Sequence, residues 1–296
     1  SGIVSSFTVA LLNGAGPRRR LDSIHNLLIA GAAAEVTGDG APDLFVGSGS
    51  GTVSITYNRG TSGTAAWPAS PDRVLAVGNN PAPALEDLNG DGLIDLIVGF
   101  HEEGEGGRLA HFANTGTFTE PVWSLQTDNY AGIAEAGSDG IRPAFLDLDR
   151  DGDRDMLAGL SGYVVWYERG GTDGNPTWTR HASDPVGYGG GSSGTSAAAG
   201  DWDGDGDDDL ITGEHWGNLR FFRNNGSGAW VEEAFPFPFD LEGDSAPALA
   251  DWNGDGTLDM LIGQAHGQVR QYVNRGSTVS ADWDPEDPLL TLPWTD

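Results

Sequence analysis

The chain has 296 residues, a formal net charge of -29, no cysteine, and 15 basic residues that are all arginine. So acidic a balance argues against a nucleic-acid partner, because affinity for phosphate backbones rests on basic surface. The composition also excludes disulfides, cysteine-based zinc sites and thiolate nucleophiles, together with lysine Schiff bases and lysine-dependent phosphate loops.

Residues 1–34 form the least regular part of the sequence. Segments 7–12 and 25–29 have strand character and are separated by a Gly-Ala-Gly-Pro turn and by Arg18, Arg19 and Arg20. We interpret the three arginines as a solvated turn, since short charge runs in loops usually face water. We therefore predict two strands in residues 1–34.

Five acidic loops follow, beginning at residues 35, 87, 147, 201 and 251. We call them acidic loops 1 to 5 and number the residues of each from 1 to 9. Loop 4 carries Asp201, Asp203, Asp205 and Asp209 at positions 1, 3, 5 and 9, directly before an apolar segment. Hard cations such as Ca²⁺ take six to eight oxygen ligands from carboxylates, carbonyls and water. The pattern therefore indicates repeated cation sites, although Asp and Gly also favour plain turns.

The segments around each loop repeat in a fixed order. A strand of small residues leads into the loop, and the loop leads into a strand of buried type, as at 93–99. A turn and an alternating strand come next, as at 217–223, followed by an Asn/Gly turn and a tryptophan that opens a fourth strand. These tryptophans, which we expect to pack between neighbouring units, are Trp67, Trp123, Trp178, Trp230 and Trp283.

The loops recur at intervals of 50 to 60 residues with four predicted strands in each unit. A repeat of about this length and strand content is typical of propeller blades. We therefore expect residues 1–296 to form one all-β domain, a β-propeller of four-stranded antiparallel blades. Five blades are favoured, with residues 1–34 closing the ring by pairing with the C-terminal unit; six blades are the alternative. The longer intervals at 128–142 and 187–200 are expected to be functional or floppy loops.

Loop 2 and the strand that follows it occupy residues 87–99, with the sequence Asp-Leu-Asn-Gly-Asp-Gly-Leu-Ile-Asp-Leu-Ile-Val-Gly. This sequence resembles the FG-GAP or VCBS repeat. EF-hand loops need a Glu at position 12 and flanking helices, and dockerin loops also precede helices, so neither fits a series of β units. The repeat family includes the Ca²⁺-binding propellers of integrin α-subunit heads and fungal and bacterial lectins. The resemblance extends over nearly the whole chain.

The resemblance implies that side chains at positions 1, 3, 5 and 9 and the carbonyl at position 7 hold Ca²⁺. The residues so assigned are Asp87, Asn89, Asp91, Leu93 and Asp95; Asp147, Asp149, Asp151, Asp153 and Asp155; Asp201, Asp203, Asp205, Asp207 and Asp209; and Asp251, Asn253, Asp255, Thr257 and Asp259. Loop 1 retains Glu35, Asp39 and Asp43 but departs from the pattern at Thr37 and Pro42. We expect loop 1 to be empty or to bind weakly, and the ions to have a structural role.

The turn after each loop-following strand is the candidate ligand surface, because polar and aromatic residues recur there. An aromatic face can pack on a sugar's C–H surface while polar side chains bond to its hydroxyls. The candidates are His101, Tyr163, Glu214, His215, Trp216, Gln264 and His266. Solvated turn residues are the alternative interpretation of the histidines, and a histidine metal site would require the turns to converge.

We therefore hypothesise a Ca²⁺-stabilised carbohydrate-binding protein, similar to propeller lectins, with repeated sugar sites and no enzymatic activity. The expected partners are glycans or glycoproteins at an extracellular or cell-surface location, and the sequence is compatible with an oligomer. No apolar run reaches the roughly 18 to 20 residues of a membrane span, so no membrane insertion is expected. The alternatives are an integrin-like adhesion module that binds protein, and a polysaccharide lyase or hydrolase.

Overall fold

A computed structural model describes residues 5–8, 30–61, 66–182, 184–191, 195–226, 229–234, 241, 243, 245–251, 253, 255–264, 268–277, 280–283 and 289–290. Within this part of the chain, the strands form five antiparallel sheets in chain order. Each sheet is one blade, and the strands of a blade follow one another in sequence. The five-bladed all-β propeller predicted from the repeat is therefore confirmed, and the six-bladed alternative is wrong.

The first two blades each carry an extra strand. Blade 1 contains β1 (Ser5–Thr8), β2 (Ala30–Ala34), β3 (Asp43–Ser48), β4 (Thr52–Thr56) and β5 (Arg73–Ala76). Blade 2 contains β6 (Asn79–Glu86), β7 (Asp95–Glu102), β8 (Gly106–Asn114) and β9 (Trp123–Thr127), and the short β10 (Ala134–Glu135) also pairs with β8.

The other three blades have four strands each. Blade 3 comprises β11 (Arg142–Leu146), β12 (Asp155–Gly159), β13 (Val164–Thr172) and β14 (Asn175–Arg180). Blade 4 comprises β15 (Ser196–Gly200), β16 (Asp209–Gly213), β17 (Leu219–Asn224) and β18 (Trp230–Glu233). Blade 5 comprises β19 (Ala246–Ala250), β20 (Asp259–Gln264), β21 (Gln268–Tyr272) and β22 (Leu289–Leu290).

Ring closure differs from the expectation. Strand β1 hydrogen-bonds to β2 of blade 1, and the fourth strand of blade 5 comes from the C-terminal chain itself. Strand β1 also lies beside the innermost strands of the other blades, β6, β11, β15 and β19, while β19 lies beside β2. Among the described residues, the last blade therefore adjoins the first without exchanging a strand, and β1 lies at the centre of the ring. The predicted strand at 25–29 lies outside the described residues.

The hydrophobic core lies between blades. Each apolar cluster joins two neighbouring blades, and a partly or fully buried tryptophan of the second blade packs against it, as Trp123 does between blades 1 and 2. Apolar burial at these junctions supplies the main force that joins the sheets. The outermost strands are largely exposed, for example β5 and β18. The predicted inter-blade position of Trp123, Trp178, Trp230 and Trp283 is therefore confirmed in these four clusters.

The fifth residue of the second strand is a glycine in blades 2 and 4, at a point where the next blade approaches closely. A Cβ atom on Gly213 would lie 2.1 Å from the carbonyl oxygen of Ser245, and one on Gly99 would lie 1.9 Å from that of Ile141. Such distances exclude any side chain at these positions without a shift of the backbone. The glycine at this turn therefore sets how tightly adjacent blades pack.

The 128–142 segment is an ordered part of the structure. It contains a short 3-10 turn at Tyr130–Gly132 and the strand β10, and it buries Ile133, Glu135 and Ile141. Glu135 accepts hydrogen bonds from the Tyr167 hydroxyl and the Arg180 guanidinium of blade 3. The segment therefore links blades 2 and 3, which corrects the expectation of a functional or floppy loop.

Candidate functional site

The acidic loops share a backbone geometry set by their own side chains. In loop 4, Asp201 accepts the N–H groups of Gly204 at 2.6 Å and Gly206 at 3.1 Å, one on each carboxylate oxygen. Asp203 accepts the N–H of Asp205, and Asp205 accepts that of Asp207. Loops 2 and 3 repeat all four bonds at the same positions, and loop 5 repeats three of them. The side chains at positions 1, 3 and 5 therefore hold the loop backbone in its turn conformation.

Loop 1 keeps only part of this geometry. Glu35 accepts the N–H groups of Thr37 and Gly38 at 2.7 and 2.6 Å through one oxygen, and Asp39 accepts that of Ala41 at 2.9 Å. The neutral Thr37 stands where the other loops place Asp or Asn. Loop 1 therefore lacks the carboxylate or amide oxygen that the other loops offer at position 3, and weaker cation binding by loop 1 stays a prediction.

The aspartate at position 9 joins the loop to the third strand of its blade. Asp209 is fully buried and accepts the N–H of Asn224 at 2.9 Å, while its other oxygen lies 3.4 Å from the Trp202 N–H. Asp43, Asp95, Asp155 and Asp259 are equally buried, and each accepts one N–H from the corresponding residue of the third strand. Position 9 therefore fastens strands two and three in every blade.

A buried asparagine continues this connection to the fourth strand, which the sequence analysis did not foresee. Asn114 Oδ1 accepts the N–H groups of Gly116 and Val122, both at 3.1 Å. Asn58 and Asn274 make the same pair of bonds, and Asn224 makes the first of them. The signal was visible in the recurrent Asn/Gly turns, but it was assigned only to turn formation. Blade 3 has Arg169 at this point and a longer regular hairpin instead.

Burial weakens the acidity of three position-9 carboxyls, those of Asp43, Asp155 and Asp209. It raises the pKa of Asp43 and of Asp155 to about 7, and that of Asp209 to about 8, against the partly opposing effect of their backbone hydrogen bonds. A cation beside these carboxyls would favour their ionised form. Metal binding and the charge state of position 9 are therefore coupled.

The donor set of the loops fits a hard divalent cation. Carboxylate oxygens of Asp147, Asp149 and Asp151 approach one another within 4.8 Å, and so do those of Asp201, Asp203 and Asp209. All are oxygen donors on short side chains, which is the ligand type that Ca²⁺ takes. These residues would hold the ion, with the position-7 carbonyl and water completing the shell. Bound there, the ion would supply charge neutralisation and a link between strands.

Two arginines connect loops 3 and 4 across the blade junction. Arg150 forms an ion pair with Asp207, and Arg154 forms one with Asp208 and lies 3.7 Å from Glu86 of blade 2. Arg150 occupies a left-handed backbone conformation with φ of 67°, at a position where loops 2 and 4 have glycine. The guanidinium groups thus offset part of the negative charge that two adjacent acidic loops concentrate.

The predicted turn residues differ in accessibility. Trp216 is 73% exposed and Tyr163 is 44% exposed, so both aromatic faces reach solvent. The His215 ring lies 4.8 Å from that of Trp216, and His101 Nδ1 lies 3.1 Å from the Ser138 carbonyl oxygen. Gln264 ends β20, and His266 lies outside the described residues. Among the turn residues that the structure describes, the rings of His215 and Trp216 are thus placed together.

Glu214 is part of a buried network. Its side chain accepts a hydrogen bond from the Tyr188 hydroxyl at 3.0 Å, and its N–H donates to Ser245 Oγ at 2.9 Å. Tyr188 belongs to the 187–200 interval, which the sequence analysis assigned as a functional or floppy loop, and is itself buried. Glu214 therefore links blades 4 and 5 and is little available to a ligand in solution.

A cleft of about 290 Å³ opens between blades 4 and 5, on the side of the acidic loops. Three aromatic side chains line it, Trp202, Phe221 and Trp283, with the Trp202 and Phe221 rings 5.7 Å apart and inclined at 66°. The sequence analysis expected Trp283 to pack between neighbouring units and did not foresee its place in this cleft. The cleft was not predicted from the sequence because it depends on the pairing of strands β17 and β18, which is known only from the fold.

The polar side of the same cleft carries Arg223, Glu233 and Asp203. Arg223 Nε donates to Glu233 Oε1 at 2.7 Å, and an Arg223 terminal nitrogen lies 3.8 Å from Asp203 Oδ2. Asp203 is position 3 of loop 4, so the loop contributes directly to the wall. An apolar aromatic surface thus faces a row of hydrogen-bonding groups.

Fold and loops together define a β-propeller whose blades each carry an acidic loop of the cation-binding type. The family model described as FG-GAP-like repeat matches residues 36–98, 87–158, 147–212 and 201–262. The chain belongs to the FG-GAP-like repeat family. Each match runs from one acidic loop into the second strand of the next blade, so the repeat unit spans a blade junction.

Comparison with solved structures finds a lectin of Agrocybe aegerita, described as recognising non-reducing terminal N-acetylglucosamine, at 18% identity and a TM-score of 0.40. The match covers 95% of this chain and 75% of the lectin chain. The comparison with curated proteins gives no match. Among the described residues, no helix is both long and apolar enough to cross a membrane.

Proposed function

We propose that this protein is a Ca²⁺-stabilised carbohydrate-binding protein, a lectin that binds its ligand without chemical conversion. The observation that carries the proposal is the cleft between blades 4 and 5. Its volume of about 290 Å³ is close to the lower end of the range for small-molecule sites, about 300–1,000 Å³. A cleft of this size suits a monosaccharide or the terminal residue of a glycan.

The chemistry of the cleft matches the two sides of a sugar ring. Trp202, Phe221 and Trp283 offer apolar faces for C–H groups. Arg223 supplies hydrogen-bond donors, while Glu233 and Asp203 supply acceptors for hydroxyl groups. Alternating donors and acceptors beside an aromatic surface favour a neutral polyhydroxylated ligand over a purely apolar one.

The exposed turn residues form a second candidate surface on the other side of the ring. Trp216 and Tyr163 supply exposed aromatic faces, and His215 supplies a polar group beside Trp216. His101 lies in the corresponding region of blade 2. They lie in the turns between the second and third strands, whereas the cleft borders acidic loop 4. The two surfaces can therefore be tested separately.

Ca²⁺ is assigned a structural role in this proposal. The loops offer oxygen donors, and Trp202 and Asp203 belong both to loop 4 and to the cleft wall. An ion in loop 4 would fix that wall while contributing its binding free energy to the folded state. The proposal includes an extracellular or cell-surface location, with glycans or glycoproteins as partners. Extracellular Ca²⁺-binding modules typically have Kd values of about 10⁻⁴–10⁻³ M.

The test is a glycan array followed by calorimetry of the best ligand, in Ca²⁺ and in EDTA. Trp202→Leu is expected to weaken binding roughly tenfold through loss of an aromatic contact, with folding retained because loops 2 and 3 carry Leu88 and Leu148 at this position. Trp216→Ala is the matched variant on the turn surface and is expected to leave cleft binding unchanged. Absence of binding to every glycan, or conversion of the bound glycan to product, would overturn the proposal.

A further inference from the structure

The four blade junctions whose side chains are described can be compared in a common register. In each blade, one N–H of the third strand donates to the position-9 aspartate, from Asn58, Asn114, Arg169 and Asn224 in blades 1 to 4. The residue before this donor therefore occupies an equivalent place beside the next blade. These residues are Tyr57, Ala113, Glu168 and Arg223.

At the junction of blades 1 and 2, the protein fills the equivalent space with its own tyrosine. The Trp123 indole N–H donates to the Tyr57 hydroxyl at 3.1 Å, and the Trp123 ring meets Phe45 edge-on at 5.3 Å. Burial raises the pKa of Tyr57, which places its hydroxyl in a partly dehydrated setting. Tyr57 therefore closes this junction.

At the junction of blades 2 and 3, a tyrosine reaches the same place from a different part of the chain. Ala113 is too small to fill the space, but Tyr130 of the 128–142 segment packs between His111 and Trp178. Its hydroxyl lies 3.3 Å from the Trp178 indole nitrogen. The two tyrosines thus make the same bond to equivalent tryptophans.

At the junction of blades 3 and 4, a histidine ring stacks on the aromatic residue that corresponds to Phe221 of the cleft. Trp166 corresponds to Phe221, since both stand three residues before the N–H donor to position 9. The His181 ring stacks on Trp166 at 4.0 Å and 16°, and its Nε2 lies 2.6 Å from Glu168. In blade 4 the residue opposite Phe221 is Glu233, a carboxylate that accepts a hydrogen bond from Arg223.

We infer that these three side chains act as internal plugs, and that the junction of blades 4 and 5 is the open carbohydrate site among the four described. Arg223 stands where blade 1 has Tyr57, and Glu233 stands where blade 3 has His181. The inference rests on the proposed function and sharpens it. It replaces repeated sites around the ring by one site at this junction, with at most one more between blades 5 and 1.

Calorimetry with methyl glycosides of glucose, galactose, mannose, fucose and N-acetylglucosamine gives the number of sites directly. The wild-type protein is expected to bind one or two equivalents. Arg223→Tyr, which installs the blade 1 residue in blade 4, is expected to remove one equivalent while keeping the circular dichroism spectrum and thermal midpoint. Arg73→Tyr makes the same exchange on the exposed strand β5 and is expected to change nothing.

His181→Ala and Tyr57→Ala test the plugs in the opposite direction. Each is expected to add one equivalent. Both side chains are half-buried, so the circular dichroism spectrum and thermal midpoint of each variant are measured to show that it folds. Three or more wild-type equivalents, or unchanged binding by Arg223→Tyr, would overturn the inference while leaving a lectin function intact. Absence of binding by every protein to every glycoside would remove the proposed function and the inference with it.

Discussion

Replacing Asn114 by alanine tests the connection between the third and fourth strands without touching an acidic loop. Asn114 is 3% exposed, and its side-chain oxygen accepts two backbone N–H groups at 3.1 Å. A hydrogen bond contributes about 0.5–1.5 kcal/mol net. Loss of both is therefore expected to lower the free energy of unfolding by about 2 kcal/mol. The backbone N–H of residue 114 still donates to Asp95, so the second-to-third strand link remains.

The assay is thermal and denaturant unfolding followed by tryptophan fluorescence, in Ca²⁺ and in EDTA. The thermal midpoint is expected to fall by roughly 5 °C, by the same amount in both buffers because the change lies outside the loops. Thr115→Ala removes a neighbouring exposed hydroxyl whose hydrogen bond to the Val122 carbonyl oxygen is long, at 3.3 Å. It is expected to lower the free energy of unfolding by less than about 1 kcal/mol. If Asn114→Ala unfolds together with the wild type, the asparagine connection does not stabilise the blade.

Three further outcomes follow from the loops and the turn glycine. In EDTA, the free energy of unfolding is expected to fall as pH rises toward 8, because burial raises the folded-state pKa of Asp209 to about 8 and so favours its protonated form at lower pH. Asp209→Asn should flatten this dependence of stability on pH. A free energy of unfolding that rises with pH would contradict the raised pKa of Asp209. Chelation itself should lower the free energy of unfolding by about 2.7 kcal/mol per site that was loaded at one hundred times its Kd, and a thermal midpoint indifferent to EDTA would refute Ca²⁺ binding. Gly213→Ala should cost about 1–3 kcal/mol by overpacking against the Ser245 carbonyl, and normal stability of this variant would show that the blades can separate without cost.

Sequence periodicity was enough to predict the blades because the information for them is local. Alternation, small-residue strands and the acidic loops each fall within about ten residues, and their spacing repeats. The position-9 aspartates were assigned as ligands on the same local pattern. Their second role, accepting an N–H from the third strand, depends on a pairing partner about fifteen residues away, as between Asp209 and Asn224.

The junctions were not predictable in the same way. Tyr130 lies in an insertion, and nothing in its neighbours indicates that it packs on Trp178 some fifty residues later. Glu214 has the sequence setting of an exposed turn residue, yet the distant Tyr188 buries it. Ring closure was also misjudged, since strand β1 could have paired with either end of the series and the sequence has no register marker to choose between them.

The asymmetry of the junctions has a consequence for how such a ring can change. Every blade builds its sheet from the same Asp–backbone link, so a duplicated or transplanted blade would bring a sound framework with it. The proposed sugar site would not travel with it, because its wall is divided between two neighbouring blades, with Arg223 on one blade and Trp283 on the next. The framework of this ring can thus change one blade at a time, whereas a change in the proposed binding site involves residues of two adjacent blades.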